Sequence, residues 1–284
     1  MATIIDGKRI SAEIRVEIAE KTTAFQAAYG AVPGLAVIIV GEDPASRVYV
    51  RNKHKACAEV GFYSEVHELP ADATQEQVIA LIDKLNDQKD IHGILVQLPL
   101  PEHLDEQTIL LRIKPEKDVD AFHPYNVGKI MIGDYNVLPC TPAGVMQLLA
   151  RSGVSVAGKH CVVIGRSNIV GKPMAMLLLH DNGTVTVCHS RTTDLKAQTL
   201  QADILVAAVG RAGFVTADMV KPGAVVIDVG INRNAEGKLC GDVDFQSVSE
   251  VASMITPVPG GVGPMTITML LQNTLTAAEA AQNN

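Results

Sequence analysis

The residues of this sequence whose types and spacing can do chemistry are a lysine, a glutamine, two aspartates and two glycine-rich turns. Asp43-Pro44 opens a helix, because an aspartate caps the first N–H groups and a proline sits at the first helical position with its φ already set. At 3.6 residues per turn, Tyr49, Val50, Lys53, Ala56, Cys57 and Val60 share one arc, while Arg47, Arg51, His54 and Lys55 share another. Lys53 is thus a cation among apolar positions, with Tyr49 one turn before it on the same side. Burial lowers an ammonium pKa and frees a neutral amine for acid/base or nucleophilic work. The plainer alternative is a lysine that snorkels its charge past the edge of the core.

Gly93-Ile-Leu-Val-Gln-Leu-Pro-Leu-Pro101 is an apolar strand that ends in a polar amide and a proline-rich turn. Ligands in open α/β sheets bind beyond the carboxyl ends of strands, so Gln97 stands either at a ligand or in a turn where it satisfies local backbone. Asp118 and Asp120, in Lys117-Asp-Val-Asp-Ala-Phe-His-Pro124, point to opposite sides if that run is extended. One of them then faces a ligand, unless both are solvated turn formers.

Val162-Val-Ile-Gly-Arg-Ser-Asn-Ile-Val-Gly171 reads as a strand, a turn and a helix, the arrangement in which backbone amides and a helix N-terminus hold a phosphate. It departs from the usual dinucleotide fingerprint, because Ser167 stands where the second glycine would be. Gly165 to Gly171-Lys172-Pro173 also misses the nucleotide-triphosphate loop, being one residue too long and having proline in place of Ser/Thr. The next strand ends in His189-Ser-Arg-Thr192 with no carboxylate to bind a ribose hydroxyl. With Arg166 and Arg191 nearby, NADP is expected over NAD, the alternative being two solvated arginines. The second turn, Thr256-Pro-Val-Pro-Gly-Gly-Val-Gly-Pro-Met-Thr266, combines glycines that permit close ligand approach with more proline than a flexible linker needs.

The elements that must position these residues alternate strand and helix throughout. In the first half, helices near Ser11–Tyr29, Ala45–Val60 and Thr74–Asn86 alternate with strands Leu35–Val40, Tyr63–Glu68 and Gly93–Leu98. In the second half, strands His160–Gly165, Thr184–His189, Ile204–Val209 and Ala224–Val229 enclose helices Val170–His180 and Leu195–Gln201. A seam falls between Asp118 and Cys140, before a helix that Thr141 caps and Pro142 starts. A last helix near Thr266–Ala280 can return to the first half.

With 284 residues, about two domains are expected. A net charge of −7 disfavours nucleic acid and anionic membranes as partners, and 4% aromatics with no Trp weakens base stacking. The five cysteines, Cys57, Cys140, Cys161, Cys188 and Cys240, form no CxxC pair, and the histidines show no ligand spacing. No metal is expected, nor a serine nucleophile, since Ser167 lies in GxSxI. With no leader at the start and no apolar run near the ~20 residues that cross a bilayer, a cytoplasmic protein with reduced thiols is expected.

Taken together, YVRNKHKAC, GILVQLPLP, KDVDAFHPYNVGK, LPCTPAG, GRSNIVGKPMA and PVPGGVGPMT resemble the bifunctional methylenetetrahydrofolate dehydrogenase/methenyltetrahydrofolate cyclohydrolase family over nearly the full chain. The resemblance implies two α/β domains flanking a cleft, the second a Rossmann-type NADP domain, in a homodimer. Residues 1–140, with 266–284 packing back on them, would form the folate-binding catalytic domain, and 141–265 the NADP domain. It implies oxidation of 5,10-methylenetetrahydrofolate with NADP, then hydrolysis of 5,10-methenyltetrahydrofolate to 10-formyltetrahydrofolate. It assigns the acid/base role to Lys53, tuned by Gln97, folate packing to Tyr49, and pterin binding to Asp120. Val96, Leu98, Pro259, Gly260 and Gly261 would line the folate, and Gly165, Arg166, Ser167, Ser190, Arg191 and Ile231 would hold NADP. Two other readings compete: a folate sensor without turnover, and an NADP-dependent dehydrogenase of another small substrate with Lys53 as proton donor.

Overall fold

The computed structural model describes residues 1–282. In chain order its elements begin β1 (Thr3–Ile4), α1 (Gly7–Tyr29), β2 (Gly34–Val40), α2 (Pro44–Glu59), β3 (Tyr63–Leu69), α3 (Gln75–Asp87), β4 (Gly93–Val96), α4 (Glu106–Arg112) and α5 (Pro124–Ile132). They continue with α6 (Cys140–Arg151), β5 (His160–Ile164), α7 (Gly171–His180), β6 (Thr184–Cys188), α8 (Leu195–Thr199), β7 (Ile204–Ala207) and β8 (Val225–Asp228). The last are β9 (Asn232–Arg233), β10 (Leu239–Cys240), α9 (Phe245–Val248), β11 (Met254–Ile255) and α10 (Val262–Gln282). Two compact units emerge, one of residues 1–12 and 139–266, the other of residues 13–138 and 267 onward.

The second of these is built on a three-stranded parallel sheet of order β3-β2-β4, with Val37 opposite both Val66 and Leu95. The middle strand, β2, is buried along its whole length, which is why GLAVIIV shows no alternation. β3 lies at the edge and is half-exposed, so it tolerates the polar sequence YSEVHEL. On α3, Val78, Ile82 and Leu85 recur at helical spacing and pack with Ala36, Ile38, Ile94 and Val96. From α10, the buried Asn273 amide donates to the carbonyls of Val119 at 2.8 Å and Leu138 at 2.7 Å. Asn283 and Asn284, the end of the segment expected to pack back, lie outside the described residues.

The other unit holds a six-stranded parallel sheet of order β1-β11-β8-β7-β5-β6. Its core gathers Val162, Ile164, Leu205, Ala207, Val226 and Ile255. Residues 1–12 group with this unit rather than with residues 13–138. Thr3 pairs with Met254 and the Ile5 N–H donates to the Ile255 carbonyl at 2.9 Å, so backbone bonding at the far end of the chain decides the membership. A two-residue strand has no periodicity to read.

Two helix starts also differ from expectation. α6 begins at Cys140 with Pro139 at its cap, and no side chain caps it. Thr141 lies inside the helix, its hydroxyl 3.5 Å from that of Thr266. α10 begins at Val262, because Gly263 and Pro264 are accommodated in its first turn, where proline needs no N–H partner.

Candidate functional site

In the three-strand unit, Asp43 caps α2 by accepting the Ser46 N–H at 2.7 Å, with Pro44 at the first helical position. Val50, Ala56, Cys57 and Val60 are buried against the sheet, and Lys53 is half-buried at the edge of the same stripe. Its ammonium donates to Gln97 Oε1 at 2.9 Å. Gln97 follows the carboxyl end of β4. Its backbone N–H continues the sheet by donating to Ile38 O at 2.8 Å, and its amide donates to Leu98 O at 2.6 Å. That second bond fixes the amide orientation, so the oxygen must face the lysine. Tyr49, on the same arc of the wheel, is 45% exposed rather than packed in the core. Val96 is buried in the sheet and Leu98 is half-buried, so of these two only Leu98 presents side chain at the surface.

The two aspartates separate into different jobs. Asp118 is buried, and its Oδ2 accepts the His123 N–H at 2.8 Å and the Asn126 amide at 2.9 Å. It folds its own loop. A parallel bridge between Ile94 and Asp118 runs this segment alongside β4, so Asp120 advances toward the end of the strand that Gln97 occupies. Asp120 is half-buried. Lys117 anchors the start of the loop, donating to the carbonyls of Leu85 at 3.0 Å and Gln88 at 2.6 Å at the end of α3.

In the six-strand unit, β6 lies on one side of β5 and β7 on the other, so the carboxyl ends of β5 and β7 form a topological switch point, where α/β sheets bind ligands. Gly165 turns there with φ +136°, and a Cβ on it would lie 2.3 Å from the Ala208 carbonyl oxygen. A Cβ on Gly171 would lie 2.3 Å from the Gly165 carbonyl oxygen, so the helix closes on the turn only with glycine there. Ser167 Oγ accepts the N–H groups of Val170 at 3.1 Å and Gly171 at 3.3 Å. The first donors at the start of α7 are therefore spent on a hydroxyl, whose own proton is available to a phosphate oxygen. Arg166, at the end of β5, and Ser190 and Arg191, at the end of the adjacent β6, are exposed. Among the described residues no carboxylate pairs with either guanidinium, which suits an anionic ligand.

The second glycine-rich turn belongs to the same unit as the dinucleotide-type turn, and Lys53, Gln97, Tyr49 and Asp120 belong to the other. Gly260 is buried with φ +108°, and its carbonyl accepts the Lys8 N–H at 3.2 Å. Gly261 is also buried, and a Cβ on it would lie 2.6 Å from Pro257 O. Gly260 is thus called for by its backbone conformation and Gly261 by close packing, while Pro259 is exposed.

Two family models cover the chain: the tetrahydrofolate dehydrogenase/cyclohydrolase catalytic domain matches residues 5–120, and the corresponding NAD(P)-binding domain matches 139–282. A bifunctional protein FolD of Moorella thermoacetica is 61% identical over 277 residues, 98% of this chain and 99% of its own. The chain belongs to the tetrahydrofolate dehydrogenase/cyclohydrolase family. Among solved structures, the bifunctional enzyme FolD of Campylobacter jejuni is 51% identical with a TM-score of 0.95, covering 99% of each chain. The Trypanosoma brucei enzyme, solved with NADP cofactor and an inhibitor, is 43% identical with a TM-score of 0.94, covering 100% of this chain and 99% of that one.

Within this family's NAD(P)-binding domain lies a pair of residues that sequence reasoning missed. Asp228 and Asp242 are 3% and 0% exposed. Asp228 Oδ1 accepts the N–H groups of Gly230 and Asp242 at 2.9 Å each, and Oδ2 accepts that of Val243 at 2.9 Å. Burial pushes the Asp228 carboxyl up to about 6; the three N–H donors oppose that rise and the Asp242 charge adds to it. The available signal was an aspartate closing the wholly apolar strand Val225–Asp228, a position that demands internal partners.

Proposed function

We propose that Lys53 is the acid/base group with which this bifunctional enzyme carries out the second of its two reactions. The enzyme oxidises 5,10-methylenetetrahydrofolate to 5,10-methenyltetrahydrofolate and hydrolyses that product to 10-formyltetrahydrofolate. The hydrogen bond of 2.9 Å between Lys53 Nζ and Gln97 Oε1 carries this reading.

NADP supplies the hydride acceptor for the oxidation, and the folate nitrogen lone pair stabilises the cation left behind. Gly165, Arg166, Ser167, Ser190, Arg191 and Ile231 would hold it, with the two guanidiniums on the ribose phosphate. In the hydrolysis, water adds to the cationic bridging carbon and loses one proton; the hydroxyl so formed loses its second as the formyl C=O forms, and a folate nitrogen gains one proton as its bond to that carbon breaks. One proton is released overall. A single amine that alternates between neutral and charged forms can serve these transfers. Gln97 aims that amine, since its oxygen accepts from Nζ in either protonation state. Tyr49 offers a ring one helical turn away for the folate, and Asp120 an acceptor for the pterin amino and ring N–H groups. Pro259, Gly260 and Gly261 stand as further proposed folate contacts, along with Leu98 and the backbone at Val96.

Lys53→Arg tests the assignment, because guanidinium keeps the charge and cannot deprotonate near neutral pH. Cyclohydrolase activity falls to near the spontaneous rate in this variant if proton transfer is the role; full activity would reduce Lys53 to an electrostatic one. The family resemblance further supports a cytoplasmic homodimer, which sedimentation of the purified protein tests. Among the described residues no helix is long and apolar enough to cross a membrane.

A further inference from the structure

The buried carboxylate of Asp242 binds donors from two separate loops. Its Oδ2 accepts the N–H groups of Val209 at 2.6 Å and Gly210 at 3.0 Å, and its Oδ1 accepts those of Arg211 at 2.8 Å and the Asn232 side chain at 2.8 Å. Four donors on a carboxylate with no solvent exposure account for every strong acceptor site it has. Neither loop is incidental. Val209–Arg211 follows β7, immediately after the Ala208 whose carbonyl abuts Gly165 at the switch point. Residues 230–232 follow β8, and Ile231 among them is 54% exposed. The residue before Ile231 is tied to Asp228 and the residue after it to Asp242.

The chain is built to admit these two carboxylates. A Cβ on Gly230 would lie 2.3 Å from Asp242 Oδ1, and one on Gly241 would lie 1.8 Å from Asp228 Oδ2. Asp228 in turn accepts the Asp242 N–H at 2.9 Å, and the Asp228 N–H is held by Thr256 Oγ1 at 2.8 Å. Burying two carboxylates without a cation is costly unless every lone pair is met. A fold that needed only to close these loops could use backbone pairs or solvent. What the carboxylate adds is a fixed distance between the loop after β7 and the loop after β8.

We infer that Asp242, supported by Asp228, is a positioning residue for the dinucleotide: it sets the backbone of Val209–Arg211 and the placement of Ile231 as two adjoining walls of the cofactor site. This rests on the cofactor-site reading proposed above. Asp242 touches no ligand itself and plays no part in the proton transfers assigned to Lys53.

The experiment uses the full-length protein and measures NADP affinity by direct titration, dehydrogenase KM for NADP against kcat, and cyclohydrolase activity without NADP. In Asp242→Asn, an amide N–H₂ faces backbone N–H donors, so the wall is disturbed while volume is kept. The expected result is NADP binding weaker by about tenfold or more, the size of losing one or two hydrogen bonds to a buried charge, with cyclohydrolase activity within about twofold. Asn232→Ala removes only the link between the loops and keeps the proposal testable if Asp242→Asn fails to fold. It should weaken NADP about threefold to tenfold. Arg191→Ala, run alongside, tests the cofactor site independently. Unchanged NADP affinity in a folded Asp242→Asn or in Asn232→Ala, with Arg191→Ala weakened, would overturn the inference and leave the site reading intact. Unchanged affinity in Arg191→Ala, with the Asp242 and Asn232 variants weakened, would instead correct the site reading and keep the inference. A melting temperature lowered without any change in NADP affinity would assign the pair a structural role alone and overturn the proposal.

Discussion

The two units treat their polar groups in opposite ways. In the three-strand unit, Lys53 is half-buried and held by Gln97 from one side, and Tyr49 and Asp120 nearby in sequence logic remain partly open. In the six-strand unit, Asp228 and Asp242 are buried, Asp242 accepting four N–H donors and Asp228 three. A group that must exchange protons with a substrate needs an open side and a tunable charge. A group that must hold loops in place needs neither, and full saturation makes it rigid. The contrast separates residues that react from residues that position, and each variant below is chosen to break it or sharpen it.

The largest effect is expected at Gln97. In Gln97→Leu the lysine loses its orienting acceptor while volume stays similar, so cyclohydrolase kcat should drop about 100-fold, the scale of a misplaced reacting group, with NADP affinity unchanged. Steady-state kinetics with both substrates checks this, and retained hydrolysis would place the orientation of Lys53 elsewhere. Next comes Arg191→Ala, which should weaken NADP about tenfold through loss of one charge-assisted contact to phosphate. NAD affinity should stay level, since it lacks that phosphate; an equal loss for both would remove Arg191 from cofactor discrimination.

A smaller effect is expected at Asn273, whose amide ties α10 to Val119, next to Asp120, and to Leu138. Asn273→Ala should cost about 1–3 kcal/mol of stability and raise the KM for folate a few-fold, as urea unfolding and kinetics will show. A stability loss with unchanged KM would separate this tether from the folate site.

The last effect is a pH dependence of stability. The Asp228 carboxyl is raised from 3.8 to about 6 in the folded chain, so between those values the folded state holds a proton that the unfolded state has released. Its contribution to stability is therefore greatest below about pH 4 and is lost as pH rises through about 6, by up to about 1.4 kcal/mol per pH unit. Urea midpoints of the wild type and Asp228→Asn, compared from pH 4.5 to 7, should show the wild type losing ground as pH rises. Parallel curves would mean that Asp228 stays charged throughout.

Much of this was legible in the sequence because local rules govern it. The Asp43-Pro44 cap, the buried run of β2 and the odd position of Lys53 all follow from periodicity and capping chemistry. The partnership of Lys53 with Gln97 came from the family resemblance, and the spacing of the two residues said nothing of it. The wheel places Tyr49 on the arc of Lys53 but does not say where the core ends, and Tyr49 lies beyond that edge. Thr-Pro suits a helix start with Thr141 as cap, yet the helix begins two residues earlier, at Cys140, and the Thr141 hydroxyl lies 3.5 Å from that of Thr266. The grouping of residues 1–12 depends on contacts between distant segments, which no local pattern encodes, and for the Asp228–Asp242 pair the local signal at the end of β8 does not name the partner.

The most direct test of the account is Lys53→Met, with cyclohydrolase rate and NADP affinity measured on the same folded preparation. Hydrolysis should fall to the spontaneous rate with NADP binding as in the wild type. Substantial hydrolysis surviving in that protein would contradict it.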